Sequence, residues 1–514
     1  MFSAANAQFK IVAEGPTFQE PEEGFAKILQ MKNGNTMFIH VTLKKGINIR
    51  LYNAAHSEIA TTSFETSYGK LRGGIDAVFE IAGDAVIMVA DAESRTPMLF
   101  RIIVDGKTGN LKEDKKIGEL SKISFFGGYA MVYGGVPMPS FFVRKDPYSD
   151  NYAVVNFNSF ESDRSKRIEI VTYGSDNKET NRAYYASPDE KYKYLQYVDM
   201  AVLGSDKVCV LAYGYNTAHS GGKESELILA NLDKGAKQVS FTELGFSKDF
   251  IVYQGVARFN PATKTLILAA VVKTKERDKG YIPMIAFVNP FEKKIDRFNT
   301  ITPSDRVNKF SKDGFTGLPQ DLYVNSDGTF TIVSEEMTIT TSYGSHGGSS
   351  TSTFLDNVAV ATYSKTGEFI TDHLMRKSQR LDDTYLSPFY LSAREGTAQH
   401  LKRGNQFKSF AYFNGNDKSY ILFNDTERNN DKQEGGSLVT VTGVSGSDGF
   451  YYPLKGTDVV PKRDYVFGNP AAKRDHNLGL FSISDYNQKD NLYITLELSK
   501  ESGKKGVRVV WLQP

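Results

Sequence analysis

Glu335 and Glu336 close one run of alternating apolar residues, and Asn424 and Asp425 close another. Lys377 and Gln379 lie in the linker between them. Two carboxylates, an ammonium group and amides gathered at one place can bind a small polar ligand, a hard cation or the polar groups of a partner. The same set can serve as an ion pair that fixes two packed units against each other. Both readings require distant segments to meet, so the elements that carry these residues come before their chemistry.

Catalytic arrangements visible in sequence are few. The seven histidines (His40, His56, His219, His346, His373, His400 and His476) are scattered, with no pair at zinc-ligand spacing. Gly443-Val-Ser-Gly-Ser447 misses the final glycine of a nucleophile elbow. No phosphate-binding loop and no dinucleotide fingerprint occurs. Asp485-Tyr-Asn487-Gln-Lys-Asp490-Asn491 and Asn424–Glu434 carry oxygen ligands, but neither has the glycine and terminal glutamate of an EF-hand loop. The reading is therefore no cofactor, with a bound calcium ion as the one weakly supported candidate.

The elements are hairpins. Asp321-Leu-Tyr-Val-Asn-Ser-Asp-Gly-Thr-Phe-Thr-Ile-Val-Ser334 reads as strand, turn and strand. The pattern recurs at Ala26–Thr42, Val78–Ala90, Gly255–Val272 and Phe407–Phe423. With 28 Tyr, 34 Phe and 44 Gly, the composition suits pleated surfaces and tight turns. Repeated hairpins over 514 residues predict an all-β chain, a β-propeller whose small sheets pack around an axis. Eight blades are expected, with seven the main competitor: Gly24–Glu65, Gly74–Leu120, Ile123–Ser187, Tyr192–Leu244, Phe250–Ile301, Leu318–Met375, Phe407–Lys455 and Gly479–Gln513. The third includes a long excursion at Gly134–Asp150. The last offers three strands, and Gln8–Thr17 is expected to supply the fourth by pairing near Gly506–Leu512, closing the ring with both termini. Long loops are expected at Pro137–Asp150, Asn216–Glu226, Thr338–Thr353 and Asn424–Gly436. No segment carries a capped helical period; Pro21–Gln30 comes nearest and runs straight into a strand pattern.

The formal net charge is +2, from 62 basic and 60 acidic residues, and no basic stripe points to nucleic acid. No apolar stretch approaches the ~20 residues that span a bilayer. Ala5-Asn6-Ala7 before Gln8 matches a signal-peptidase site, so residues 1–7 read as the remnant of a secretory signal and 8–514 as a single propeller domain. An exported protein is expected: periplasmic, outer-membrane-associated or extracellular. The single Cys209, in Val208-Cys-Val-Leu-Ala212, reads as a buried small hydrophobe.

The order Leu318-Pro-Gln-Asp-Leu-Tyr-Val-Asn-Ser-Asp-Gly-Thr-Phe-Thr-Ile-Val-Ser-Glu-Glu336, Arg376-Lys-Ser-Gln379, Lys418-Ser-Tyr-Ile-Leu-Phe-Asn-Asp425 resembles uncharacterised secreted β-propeller proteins of Bacteroidetes-type bacteria. The resemblance covers roughly residues 317–498 and implies an envelope or extracellular location without implying an activity. Two functions follow as expectations. One is a non-catalytic scaffold or assembly subunit that binds another envelope or secreted protein through Glu335, Glu336, Lys377, Gln379, Asn424 and Asp425. The alternative is a polysaccharide-active glycosidase or lyase with carboxylates in the central channel and Tyr343, Tyr385 and Phe389 stacking on sugar.

Overall fold

Alternating apolar residues on both sides of Asn325-Ser-Asp-Gly328 form two antiparallel strands, Leu318–Val324 and Phe330–Tyr343, with Val324 opposite Phe330. The turn closes through Gly328 N–H to Asn325 O at 2.9 Å. Gly328 sits at φ 84°, and a Cβ there would meet the Ala262 side chain at 2.7 Å. Conformation and close blade packing both require glycine at this position. In the computed structural model, the described residues are 9–514 without 45, 186–190, 217–224, 247–249, 275–279, 312–313, 344–348, 383, 385, 387–395, 403, 444, 471–475 and 502–503.

The described strands form seven hydrogen-bonded sheets. Six are single four-stranded antiparallel blades, two of them with one added strand. The seventh is eight-stranded: two four-stranded units joined edge to edge where Tyr184 and Tyr185 pair in parallel with Gln238 and Val239. Counted as four-stranded units, the ring has eight blades, as expected from the hairpin pattern.

The first strand of each blade's four lies on the channel side, in blade 1 with Gln399–Lys402 added along part of its inner edge. In ring order these are Glu23–Gln30, Gly74–Ile81, Ser140–Lys145, Tyr194–Leu203, Phe250–Asn260, Leu318–Val324, Ala411–Asn414 and Gly479–Asn487. Successive inner strands touch from blade 7 through blades 8 and 1 round to blade 6. Blades 6 and 7 meet through the Tyr323 and Tyr412 rings, 4.5 Å apart, and through Asn414 Nδ2 donating to Asn325 Oδ1 at 2.8 Å. Apolar side chains fill the spaces between blades. Between blades 8 and 1, Trp511 is fully buried against Tyr52 and His56 and donates to Thr36 Oγ1 at 3.1 Å.

Three local expectations need correction. The excursion expected at Gly134–Asp150 holds the inner strand of blade 3, and the irregular segment before it folds into a helix, α1 (Phe125–Gly134). Thr338–Thr353 is not a free loop: the blade 6 hairpin continues outward in register, from Met337 opposite Leu355 to Tyr343 opposite Ser349, and Gln379–Asp382 adds to it. Blade 7 ends beyond Lys455, its fourth strand being Asp464–Tyr465. Cys209 is buried in a strand of blade 4, as its sequence context implied.

Both termini close the ring. Lys10–Glu14 pairs with the last strand, Lys10 opposite Gln513 and Glu14 opposite Val510, and Phe18 exchanges two backbone hydrogen bonds with Val507 at 2.9 and 2.8 Å. Phe9 is buried against Phe413, Tyr420 and Tyr451 of blade 7. Removing residues 8–17 therefore takes away a strand and an inter-blade anchor together. The truncated chain should melt at markedly lower temperature and aggregate through the exposed edge. An unchanged melting curve and solubility would contradict this closure.

Candidate functional site

The residues singled out in sequence do meet, and they meet inside the protein. Lys377 Nζ lies 2.5 Å from Glu335 Oε1, with both side chains at 0% exposure. The ammonium also donates to Leu355 O and Gln379 Oε1, each at 3.3 Å. Gln379 donates to Asn424 O at 2.8 Å and accepts the Ser409 N–H at 2.7 Å. Asn424 donates to Phe407 O and Gly479 O, each at 2.7 Å. Asp425 takes Arg463 Nη1 at 2.5 Å and Asn429 Nδ2 at 2.8 Å. Only Glu336 is part-exposed, and it accepts from Thr316 N–H at 3.0 Å and Asn357 Nδ2 at 2.8 Å.

Five of the six are covered where the linker folds back onto the blade 6 hairpin and blades 7 and 8 close over it. The arrangement ties three blades together. Burial pushes the Asp425 carboxyl up from its ordinary value despite Arg463. Asp485 accepts the Gln30 N–H at 2.7 Å inside the ring, while Asn487 donates to Asp490 at 2.7 Å in an exposed turn. Among the described residues no group of three His, Cys, Asp or Glu is placed to hold a metal. Tyr385, Phe389, His219 and His346 lie outside the described residues.

A second set of charges, not singled out in sequence, lines the central channel. Asp76, Asp199, Asp321 and Asp485 stand on the inner strands of blades 2, 4, 6 and 8, and Lys27, Arg144 and Arg258 on those of blades 1, 3 and 5. Three of the carboxylates accept a backbone N–H from the inner strand of the following blade: Asp76 from Val143 at 2.6 Å, Asp199 from Ala257 at 2.8 Å and Asp485 from Gln30 at 2.7 Å. Asp199, 1% exposed, also takes Arg144 Nη2 at 2.9 Å, Arg258 Nη1 at 3.2 Å and the Tyr197 hydroxyl at 3.0 Å. Arg258 continues to Asp321 at 3.4 Å, which accepts the Tyr323 hydroxyl at 3.0 Å.

β-Bulges lie at or beside three of these carboxylates, between Ile75 and Ala77, Tyr197 and Asp199, and Pro319 and Asp321, and such bulges re-aim side chains. Two-carboxylate glycoside chemistry needs an acid and a base both open to substrate. Asp199 and Asp321 are taken up by arginine and tyrosine.

The third feature is α1. Ser124 caps its start by accepting the Gly127 N–H at 3.0 Å, and Gly135, left-handed at φ 63°, ends it. Gly127 is buried and Ala130 and Met131 are half-buried, so the helix rests on the protein through one stripe of small or flexible residues. Its large side chains point away: Phe125 is 74% exposed, Phe126 81%, Tyr129 61%, Val132 73% and Tyr133 73%. Met138, just beyond the helix, is 60% exposed. A surface helix ordinarily buries its large apolar stripe. This one is turned outward. Sequence reasoning missed it because two interior glycines and uniform apolarity hide any helical period, although Ser124 is a legible cap.

No protein-family model matches the chain, and no curated protein matches its sequence. Among solved structures, the polysaccharide lyase Uly1 is 11% identical, covering 88% of this chain and 92% of that one, with a TM-score of 0.39. The WD40 domain of SCAP from fission yeast is 10% identical, covering 99% and 88%, with a TM-score of 0.35. A protein of unknown function from Bacteroides caccae is 8% identical, covering 68% and 93%, with a TM-score of 0.28. Similarities at this level say nothing about activity.

The buried pair yields a stability prediction. Lys377→Met leaves the Glu335 charge buried without its partner and should cost about 3–5 kcal/mol. Lys377→Met combined with Glu335→Gln should recover most of that loss. Denaturant unfolding of the three proteins measures it, and a single variant as stable as the parent would show that the pair does not hold the blades.

Proposed function

We propose that the protein is a non-catalytic binding propeller of the cell envelope or extracellular space, which holds another protein as a scaffold or assembly subunit. One observation carries this reading: α1 packs through its small residues and displays its large ones. Exposed aromatic patches of this kind mark interaction sites on folded proteins. Phe, Tyr and Met are the residues enriched at the centres of protein interfaces. A helix of 10 residues with two interior glycines is marginal alone, so a partner's groove would supply the packing it lacks.

The charges around its base favour a protein over an anionic lipid surface. Lys116 pairs with Glu119, Lys166 with Asp163, and Glu161 accepts the Ser121 hydroxyl, so acidic groups stand among the basic ones there, with Lys122 exposed beside them. Among the described residues no helix is long and apolar enough to cross a membrane, which leaves β-barrels aside. Export rests on Ala5-Asn6-Ala7, which lies outside the described residues, and an envelope or secreted partner follows from that reading. The binding surface therefore moves from blades 6 and 7, where the charged cluster is buried, to the connection between blades 2 and 3.

The test is Phe126→Ser combined with Tyr133→Ser in the full chain. Because both side chains are exposed, stability should stay within roughly 0.5 kcal/mol of the parent. Recovery of the partner that co-purifies with the parent from its native host should fall at least tenfold, about 1.4 kcal/mol of binding. A photo-crosslinker at Val132 should capture that same partner. Undiminished recovery, or equal co-sedimentation of both proteins with lipid vesicles, would overturn the proposal.

A further inference from the structure

The central channel opens into a cavity of about 650 Å³ at the end where the inner strands begin. That volume is in the range of small-molecule sites. Asp76, Arg144, Gln196, Tyr253 and Gln254 line it, with the stacked rings of Phe142 and Tyr197, 3.8 Å apart and 9° from parallel. A second cavity of about 470 Å³ lies toward the other end of the strands, and Arg144 borders both.

The four channel aspartates differ in how far their oxygens are supplied with donors. Both oxygens of Asp199, Asp321 and Asp485 accept hydrogen bonds from arginine, tyrosine or backbone N–H groups. Asp76 uses Oδ2 for the Val143 N–H, and among the described residues no donor reaches its Oδ1. Arg144, the cation nearest Asp76, is committed to Asp199. Of the other basic side chains on these strands, Lys27 acts on Asp485, and Arg258 bridges Asp199 and Asp321. Where Asp199 meets two guanidinium groups, Asp76 faces a cavity.

We propose that this cavity binds a small organic cation, a primary ammonium or guanidinium group, with the Asp76 carboxylate as its acceptor and the Tyr253 and Phe142–Tyr197 rings against its body. The ligand would complete at blade 2 the carboxylate–cation pairing that Arg144 and Arg258 complete at blades 4 and 6. Aromatic faces attract cations in addition to covering apolar atoms. The site is independent of the α1 surface.

Protonation gives the proposal a signature. Burial holds the Asp76 carboxyl up at about 7, against the opposing pull of Arg144 and the Val143 N–H. The charged or titratable groups facing it are Arg144 on blade 3 and Tyr197 on blade 4. Burial keeps the Tyr197 phenol far above its ordinary range, and Arg144 stays cationic beside Asp199. Asp76 is therefore the group that titrates in the cavity near neutrality. A cation binds its ionised form, so affinity rises with pH through the neutral range and levels off above it.

Propylammonium and ethylguanidinium, with propanol and urea as neutral controls, should be titrated calorimetrically into the full chain. The cations should bind and the controls should not. Affinity should increase by about 30-fold between pH 5.5 and 8 as Asp76 ionises. Asp76→Asn, whose side-chain oxygen can still accept the Val143 N–H, should weaken cation binding at least tenfold. Tyr253→Ser should weaken it several-fold. If Asp76→Asn does not fold, the pH profile of the parent decides alone. Flat affinity across that range, equal binding by Asp76→Asn, or equal binding of the neutral controls would overturn the proposal.

Discussion

The inner strand of each blade in this ring has a neighbour on one side and, for most of its length, the channel on the other. Most N–H and C=O groups along that inner edge have no strand to pair with, and an unpaired polar group removed from water is costly. The protein answers with side chains. Carboxylates from blades 8, 2 and 4 accept the N–H groups of Gln30, Val143 and Ala257 on blades 1, 3 and 5. On blade 2 the Val78 N–H is taken by Gly396 O, carried in by the linker between blades 6 and 7. That linker then pairs Gln399–Lys402 with the inner strand of blade 1. Each of these contacts crosses from one blade to another, so the same bonds that satisfy the edges also set the order and spacing of the ring.

The charges follow from this arrangement. Carboxylates that cap backbone groups in a narrow channel need cations nearby, and Arg144 and Arg258 supply them by bridging from odd to even blades. Blade 7 breaks the alternation. Its inner strand presents Tyr412, whose hydroxyl bonds Asn414 and Ser419 within the blade. The channel thus holds its blades together with buried and half-buried charges, while α1 turns its large apolar side chains outward.

Much of the fold was legible because it is local. Asn325-Ser-Asp-Gly328 specifies its own hairpin, and the spare strand near the N-terminus had a three-stranded last blade to complete. The order Glu335, Lys377, Asn424 pointed correctly to groups that meet. Their burial was not legible, because it depends on a linker that folds back and on blades that close from elsewhere. Asp76, Arg144, Asp199 and Arg258 gave no signal for the same reason: each partner is 55 to 67 residues away, with no motif to mark it. Helix α1 was hidden by its composition, since Gly127 and Gly128 weaken the helical pattern that the buried stripe then restores.

Amide hydrogen exchange at Gln30, Val143 and Ala257 tests the inner-edge account most directly. These N–H groups face the channel at positions with no strand opposite them on that side, and unbonded they would exchange like any exposed edge. With Asp485, Asp76 and Asp199 accepting them, all three should exchange only at the rate of global unfolding. In Asp199→Ser, protection should be lost at Ala257 and kept at Gln30. Fast exchange at all three positions in the parent protein would contradict the claim that carboxylates from neighbouring blades hold the ring.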